Sequence, residues 1–113
     1  MTDLTKFERA AIEYIIETDA PEYQTHIPYL SIDRRESTGA GIYVYFKYSD
    51  TFTINSDDNR TIGQSIFAEV EGLKEGAGFM LYIDHGQISM LESFSNAYES
   101  WPAKIENFSL QVL

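Results

Sequence analysis

Apolar residues fall on a helical period at the start of the chain. Leu4, Phe7, Ala11, Tyr14, Ile15 and Thr18 follow the i, i+3, i+4 spacing of one helix face, with Glu8, Glu13 and Glu17 on the other side. The spacing predicts a helix over 4–18. Thr5 and Glu8 stand at capping-box separation, although Thr2 or Asp3 could also cap the start. Pro21 should end the helix, because its ring clashes with the preceding turn.

The period then changes to two. A strand is expected around Leu30 and Ile32, with Pro28 suggesting an edge position or an irregular start. Gly39-Ala40-Gly41 makes a turn. Ile42 to Tyr48 is the strongest strand, with Ile42, Val44 and Phe46 on one face and Tyr43, Tyr45 and Lys47 on the other. Asp50 to Gly63 is polar and reads as a loop. Ile66 to Leu73 is a strand with Ile66, Ala68 and Val70 inward. Residues 79–94 form a hairpin about His85-Gly86, pairing Ile83 with Ile88 and Leu81 with Met90, which puts those four on one apolar face beside Phe79. Phe108, Leu110 and Val112 alternate in a last strand.

One switch from helical to period-two patterning predicts an α+β fold. A single domain, 1–113, should place one N-terminal helix on a mostly antiparallel sheet of five to six strands. Its expected core is Phe7, Ile15, Val44, Phe46, Leu81, Ile83, Ile88 and Leu110. Gly39–Phe46 and Gly76–Ile83 resemble each other; two turns that each feed a central strand explain this better than a duplication, since the flanks do not match.

Charge narrows the class. The chain has 113 residues, with 18 Asp+Glu against 8 Lys+Arg, a net charge of −10. The excess of acid is shared between residues 1–60 and 61–113. Such a surface repels phosphate backbones and attracts basic partners, which argues against nucleic acid. Zero cysteine excludes disulfides and thiolate chemistry. No apolar run approaches a membrane span of about 18 residues. The first ten residues include Asp3, Lys6, Glu8 and Arg9, so no secretory signal and a cytoplasmic location are expected.

Candidate chemistries fall away in turn. The two G-x-G pairs lack the third glycine and the following helix of a phosphate loop. Asn55, Asp57 and Asn59 imitate the first ligands of a calcium loop, but Arg60 stands where glycine is required and Ile66 where the bidentate glutamate belongs. His26 and His85 are the only imidazoles, and neither has a visible nucleophile or orienting carboxylate. Glu69 and Glu71 would point the same way from a strand, as an acid–base pair or more simply as its wet side. No cofactor, metal or enzymatic turnover is expected.

Binding is the better prospect. Tyr43 and Tyr45 project from one face, with Tyr82 on the hairpin. Tyrosine beside carboxylates makes a rigid, amphipathic contact surface. A helix over that face, with the tyrosines packed beneath it, is the more ordinary arrangement. The residues picked to meet a basic protein partner are Asp57, Asp58, Glu69 and Glu71, with Tyr43 and Tyr45 as aromatic anchors. The competing class is a small enzyme or ligand-binding domain with an apolar pocket between helix and sheet.

The segment Gly78-Phe79-Met80-Leu81-Tyr82-Ile83-Asp84-His85-Gly86-Gln87-Ile88-Ser89-Met90-Leu91-Glu92, followed by Tyr98 and Trp101-Pro102, resembles the C-terminal hairpin of small bacterial immunity proteins of polymorphic, contact-dependent toxin systems. The shared pattern is apolar-Tyr-apolar, a D-x-G turn, Ile-x-x-Leu-Glu and a Trp-Pro, over about a quarter of the chain. The resemblance implies a cytosolic, non-enzymatic inhibitor of one toxin, and a basic nuclease toxin would suit the acidity. These families share no catalytic motif, so no functional residue carries over.

Overall fold

The structure, a computed structural model, describes residues 4–49, 52 and 56–113. Asp50, Thr51 and Thr53 to Asn55, and with Asn55 the first position of the calcium-like loop, lie outside the described residues.

The N-terminal helix, α1 (Lys6–Asp19), opens on the expected capping box. Glu8 N–H donates to Thr5 Oγ1 at 3.1 Å, and Thr5 N–H donates to Glu8 Oε1 at 3.0 Å. Two otherwise orphan amides are thereby satisfied. The helix stops before Pro21, which opens a 3-10 segment, Pro21–Tyr29. Phe7, Ala11, Ile12, Ile15 and Ile16 are sealed beneath the helix. Glu8 is buried with them, not on the wet side as its spacing suggested. The cause is tertiary: Arg35 reaches it with Nη2–Oε1 at 2.7 Å and Nε–Oε2 at 3.0 Å. Tyr14 is only half-buried and Thr18 is exposed.

Seven strands form one antiparallel sheet, against the five or six expected. They are β1 (Leu30–Ser37), β2 (Gly41–Tyr48), β3 (Arg60–Ile62), β4 (Ile66–Val70), β5 (Leu73–Asp84), β6 (Gln87–Ser95) and β7 (Phe108–Val112). The order across the sheet is β1-β2-β6-β5-β4-β7, with β3 beside the end of β5. The added strand, β3, is three residues taken from the polar stretch read as loop. Tertiary pairing with Ile83, Tyr82 and Leu81 makes it a strand. The bends at Glu71-Gly72 end β4 at Val70, so Glu71 lies in a turn and not on the strand beside Glu69.

The hairpin closes through His85 at φ 51° and Gly86 at φ 80°, the positive pair that a tight β-hairpin turn demands. Ile83 pairs with Ile88 as expected. Beyond that, the register corrects the sequence. Ser89 is an extra residue, so Tyr82 pairs with Met90 and Leu81 with Leu91. Its hydroxyl donates to Asp84 Oδ2 at 2.6 Å and lies 3.1 Å from Tyr82 O, which holds the bulge. A one-residue slip exchanges faces, so Leu91 is buried and Met90 turns outward.

Gly39-Ala40-Gly41 is a turn, with Thr38 N–H donating to Gly41 O at 3.0 Å. Gly76-Ala77-Gly78 is not; it runs inside β5. Gly76 adopts φ 69°, and a Cβ there would collide with the Ala68 carbonyl and the Phe67 ring. The two similar segments therefore have different structures.

Six of the eight expected core residues are buried: Phe7, Ile15, Val44, Leu81, Ile83 and Ile88. Phe46 and Leu110 are only partly buried: Phe46 lies beyond the stretch of β2 that pairs with β6, and Leu110 sits on the edge strand β7. Phe7 anchors the helix to the sheet, with ring centroids 5.8 Å from Phe79 and 5.1 Å from Phe108.

Candidate functional site

Cross-strand pairing shows which side chains share a face. Residues directly opposite point the same way, so each rung of the sheet belongs to one side. Val44, Leu91 and Leu81 form one rung on the side that α1 covers. Arg34, Tyr45, Met90 and Tyr82 form a rung on the other side, and Glu36, Tyr43, Glu92 and Met80 form the next. Phe94 and Phe67 face each other across Gly78 in a third. Tyr43 and Tyr45 thus lie away from the helix, contrary to the helix-covered arrangement.

No described helix packs on this second side, and its aromatic and methionine side chains are half-buried by one another. Tyr43 and Tyr45 meet edge to face at 6.3 Å between centroids. The Arg34 guanidinium stacks 4.0 Å over the Tyr45 ring. That contact shows what the platform does to a cation: the ring's negative face attracts it. Tyr82 Oη donates to Glu92 Oε1 at 3.3 Å. Burial, and then the Glu92 carboxylate, hold the Tyr82 hydroxyl above its ordinary pKa.

At one end the platform dips into a depression of about 360 Å³, bordered by Met80, Glu92, Phe94, Asn96 and Tyr98. Tyr98 stands at its rim with 89% of its surface exposed and φ 57°. The turn that carries it is tied down. Ser95 Oγ accepts from Ala97 N–H at 3.2 Å and from Glu99 N–H at 2.9 Å. A large aromatic side chain is thus held open to water by a fixed backbone.

The six residues picked from sequence are not brought together. Tyr43 and Tyr45 belong to the platform. Glu69 is exposed on the same side of β4, two strands from β6. Glu71, in its turn, accepts from Asn107 Nδ2 at 2.9 Å. Asp57 is exposed in the loop before β3. Asp58 is engaged: Arg60 grips it through Nε and Nη2, each at 2.9 Å, and Tyr23 donates to it at 2.6 Å. The Arg60 hydrogen bonds, then that of Tyr23, hold its carboxyl below the usual range. Pattern reasoning missed Met90, Glu92, Arg34, Glu36 and Phe94. The expected pairing with Leu81 puts Met90 on the apolar face, and only the Ser89 bulge places it here.

His26 is buried in an aromatic nest under the 3-10 segment, its ring 4.5 Å from Tyr23 and 4.7 Å from Phe52. Tyr48 Oη accepts from Ile88 N–H at 2.7 Å and lies 2.8 Å from His26 Nδ1. Its own proton is therefore available to Nδ1, as a neutral imidazole requires. Burial pushes the His26 pKa down and that of Tyr48 up to about 12. His85 is exposed in the hairpin turn, its backbone N–H donating to Asn59 Oδ1. Among the described residues, no three His, Asp or Glu side chains gather as a metal site needs. No helix among them is long and apolar enough to cross a membrane.

The space between α1 and the sheet is filled by core side chains. The depression nearest to the expected pocket, about 610 Å³, lies beside the start of α1 against Trp101, Pro102 and Ile105. Its buried carboxylate, Glu8, is paired with Arg35. No protein-family model, curated protein or solved structure matches the chain.

Proposed function

We propose that this chain is a non-enzymatic binding protein that captures a basic protein partner on the open face of its sheet. The supporting observation is the tyrosine and methionine platform, flanked by Glu36 and Glu92 and ending at the exposed Tyr98. Rigid aromatics lose little rotamer entropy on binding, and Tyr and Arg dominate interface energetics. A partner's arginine would stack on this platform as Arg34 already does on Tyr45. The net charge of −10 would steer such a partner in, the more strongly at low salt.

Within that reading, the resemblance of residues 78–102 supports a bacterial immunity protein, acting in the cytoplasm on a toxin such as a basic nuclease. Exposed acids outside the platform, Asp57, Glu69 and Glu71, would act mainly on the association rate. The test is co-expression with a basic toxin domain encoded beside this chain. Growth should be protected by the wild-type chain and not by Tyr45→Ala/Tyr82→Ala/Tyr98→Ala. No protection by the wild type rejects immunity. Protection that survives the triple substitution rejects the open face as the binding surface.

A further inference from the structure

The sheet ends in two unlike edges. At one end, β1 carries Asp33, Arg34, Arg35 and Glu36 in a row, and Asp33 is an extra residue between the pairs Ile32–Phe46 and Arg34–Tyr45. Charge and a bulge are the ordinary means of closing an edge to other strands. At the other end, β7 has neither. Residues 107–113 contain no charged side chain, in a protein of net −10. Val112 is 49% exposed and Leu113 is 79% exposed, two of only four large apolar or aromatic residues so placed among those described.

The backbone of β7 is half spent. Glu71 N–H donates to Asn107 O at 3.1 Å, and Leu113 N–H donates to Ser65 O at 2.8 Å. Antiparallel ladders alternate, so residues 107, 109, 111 and 113 bond toward β4. The N–H and C=O groups of Phe108, Leu110 and Val112 point away from the sheet. No strand covers them among the described residues.

We infer that β7 is the docking site for the β7 strand of a second copy of this chain, added antiparallel about a two-fold axis at Leu110. In that register Leu110 meets Leu110 and Phe108 meets Val112, so every outward N–H and C=O finds its counterpart. The three side chains lie on the covered side of the sheet, opposite Val70, Ala68 and Ile66, and the copy extends that apolar layer. Charge favours the match. The nearest strand-borne carboxylate, Glu69, would lie about 14 Å or more from its copy, three strand spacings away and beyond the screening length of about 8 Å.

A short strand pair buries less than a standard interface, so dissociation in the range of about 10–100 µM is expected. Sedimentation of the full chain should show a dimer that strengthens as salt rises, because salt screens the repulsion of like-charged copies. Capture of a basic partner should weaken under the same change, which separates the two surfaces. Val112→Lys, at a half-exposed position, should weaken the dimer at least tenfold with the unfolding midpoint retained. Ser37→Lys on the opposite edge should not. Amide exchange at Phe108, Leu110 and Val112 in the wild-type chain should slow as concentration rises. A wild-type chain that stays monomeric at about 500 µM, well above that range, overturns the proposal. So does a dimer indifferent to Val112→Lys. A monomer whose partner binding is lost in Val112→Lys would give the edge to a foreign strand, and would overturn the second copy as its occupant.

Discussion

Leu81 points under α1 and is sealed from water, whereas Tyr82, the next residue on β5, is half-buried among the tyrosines and methionines of the open face. The same strands thus present a stability surface on one side and a contact surface on the other. The covered side is aliphatic and Phe-rich, its positions defined by how they interlock. The open side is built of groups that bury each other partway and keep polar tips in water. Large side chains left half-satisfied in this way are the usual material of protein interfaces.

The sharpest test of this contrast is adjacent truncation. Leu81→Ala should cost about 2–5 kcal/mol, as for other buried large-to-small changes. Tyr82→Ala should cost about 1 kcal/mol. Equal losses in urea unfolding would show that both sides serve stability alike.

Next in size is Arg35→Ala. It leaves the Glu8 carboxylate under the helix without its bidentate partner, at a cost of about 1–3 kcal/mol. Arg34→Ala, one residue away on the open face, should change stability by less than about 0.5 kcal/mol. Paired thermal melts would check both. Thr5→Ala should follow at about 1 kcal/mol through the lost cap.

The pH dependence is smaller and has a definite sign. Burial depresses the His26 pKa in the folded protein. Below the unfolded value, about 6.5, the unfolded chain takes up a proton that the folded chain refuses. Stability should therefore be full above that pH and fall as pH drops through the folded pKa. His26→Gln should flatten the curve below about pH 6.5. A slope unchanged by this substitution would place its origin elsewhere.

The local features of the fold were legible because local spacing decides them. The Thr5–Glu8 cap, the stop at Pro21, the His85-Gly86 turn and the two faces of β2 all follow from neighbours in sequence. What escaped was set by distant partners. Glu8 looks like a solvent residue until Arg35, 27 positions on, is brought beside it. Arg60-Thr61-Ile62 has no strand signature and becomes one only against β5. Ser89 resembles any strand serine, yet its contacts with Tyr82 and Asp84 insert an extra residue and exchange Met90 for Leu91. The candidate site suffered most from that slip. Tyr43 and Tyr45 were found by alternation alone, while Met90, Glu92 and the row of Arg34 depended on a register that pattern does not encode.

β5 has a role in the order of assembly. It is the longest strand, and β3, β4 and β6 all bond to it. Its partner β6 follows after a two-residue turn, so their pairing closes only a short loop and can form early. The hypothesis is that this hairpin seeds the sheet, and that β7 and α1, which meet β4, Phe79 and Phe108 from far along the chain, dock afterwards. Substitutions at Leu81 or Leu91 should then slow folding, and Thr5→Ala should mainly speed unfolding. Stopped-flow folding with the reverse pattern would show that the helix leads.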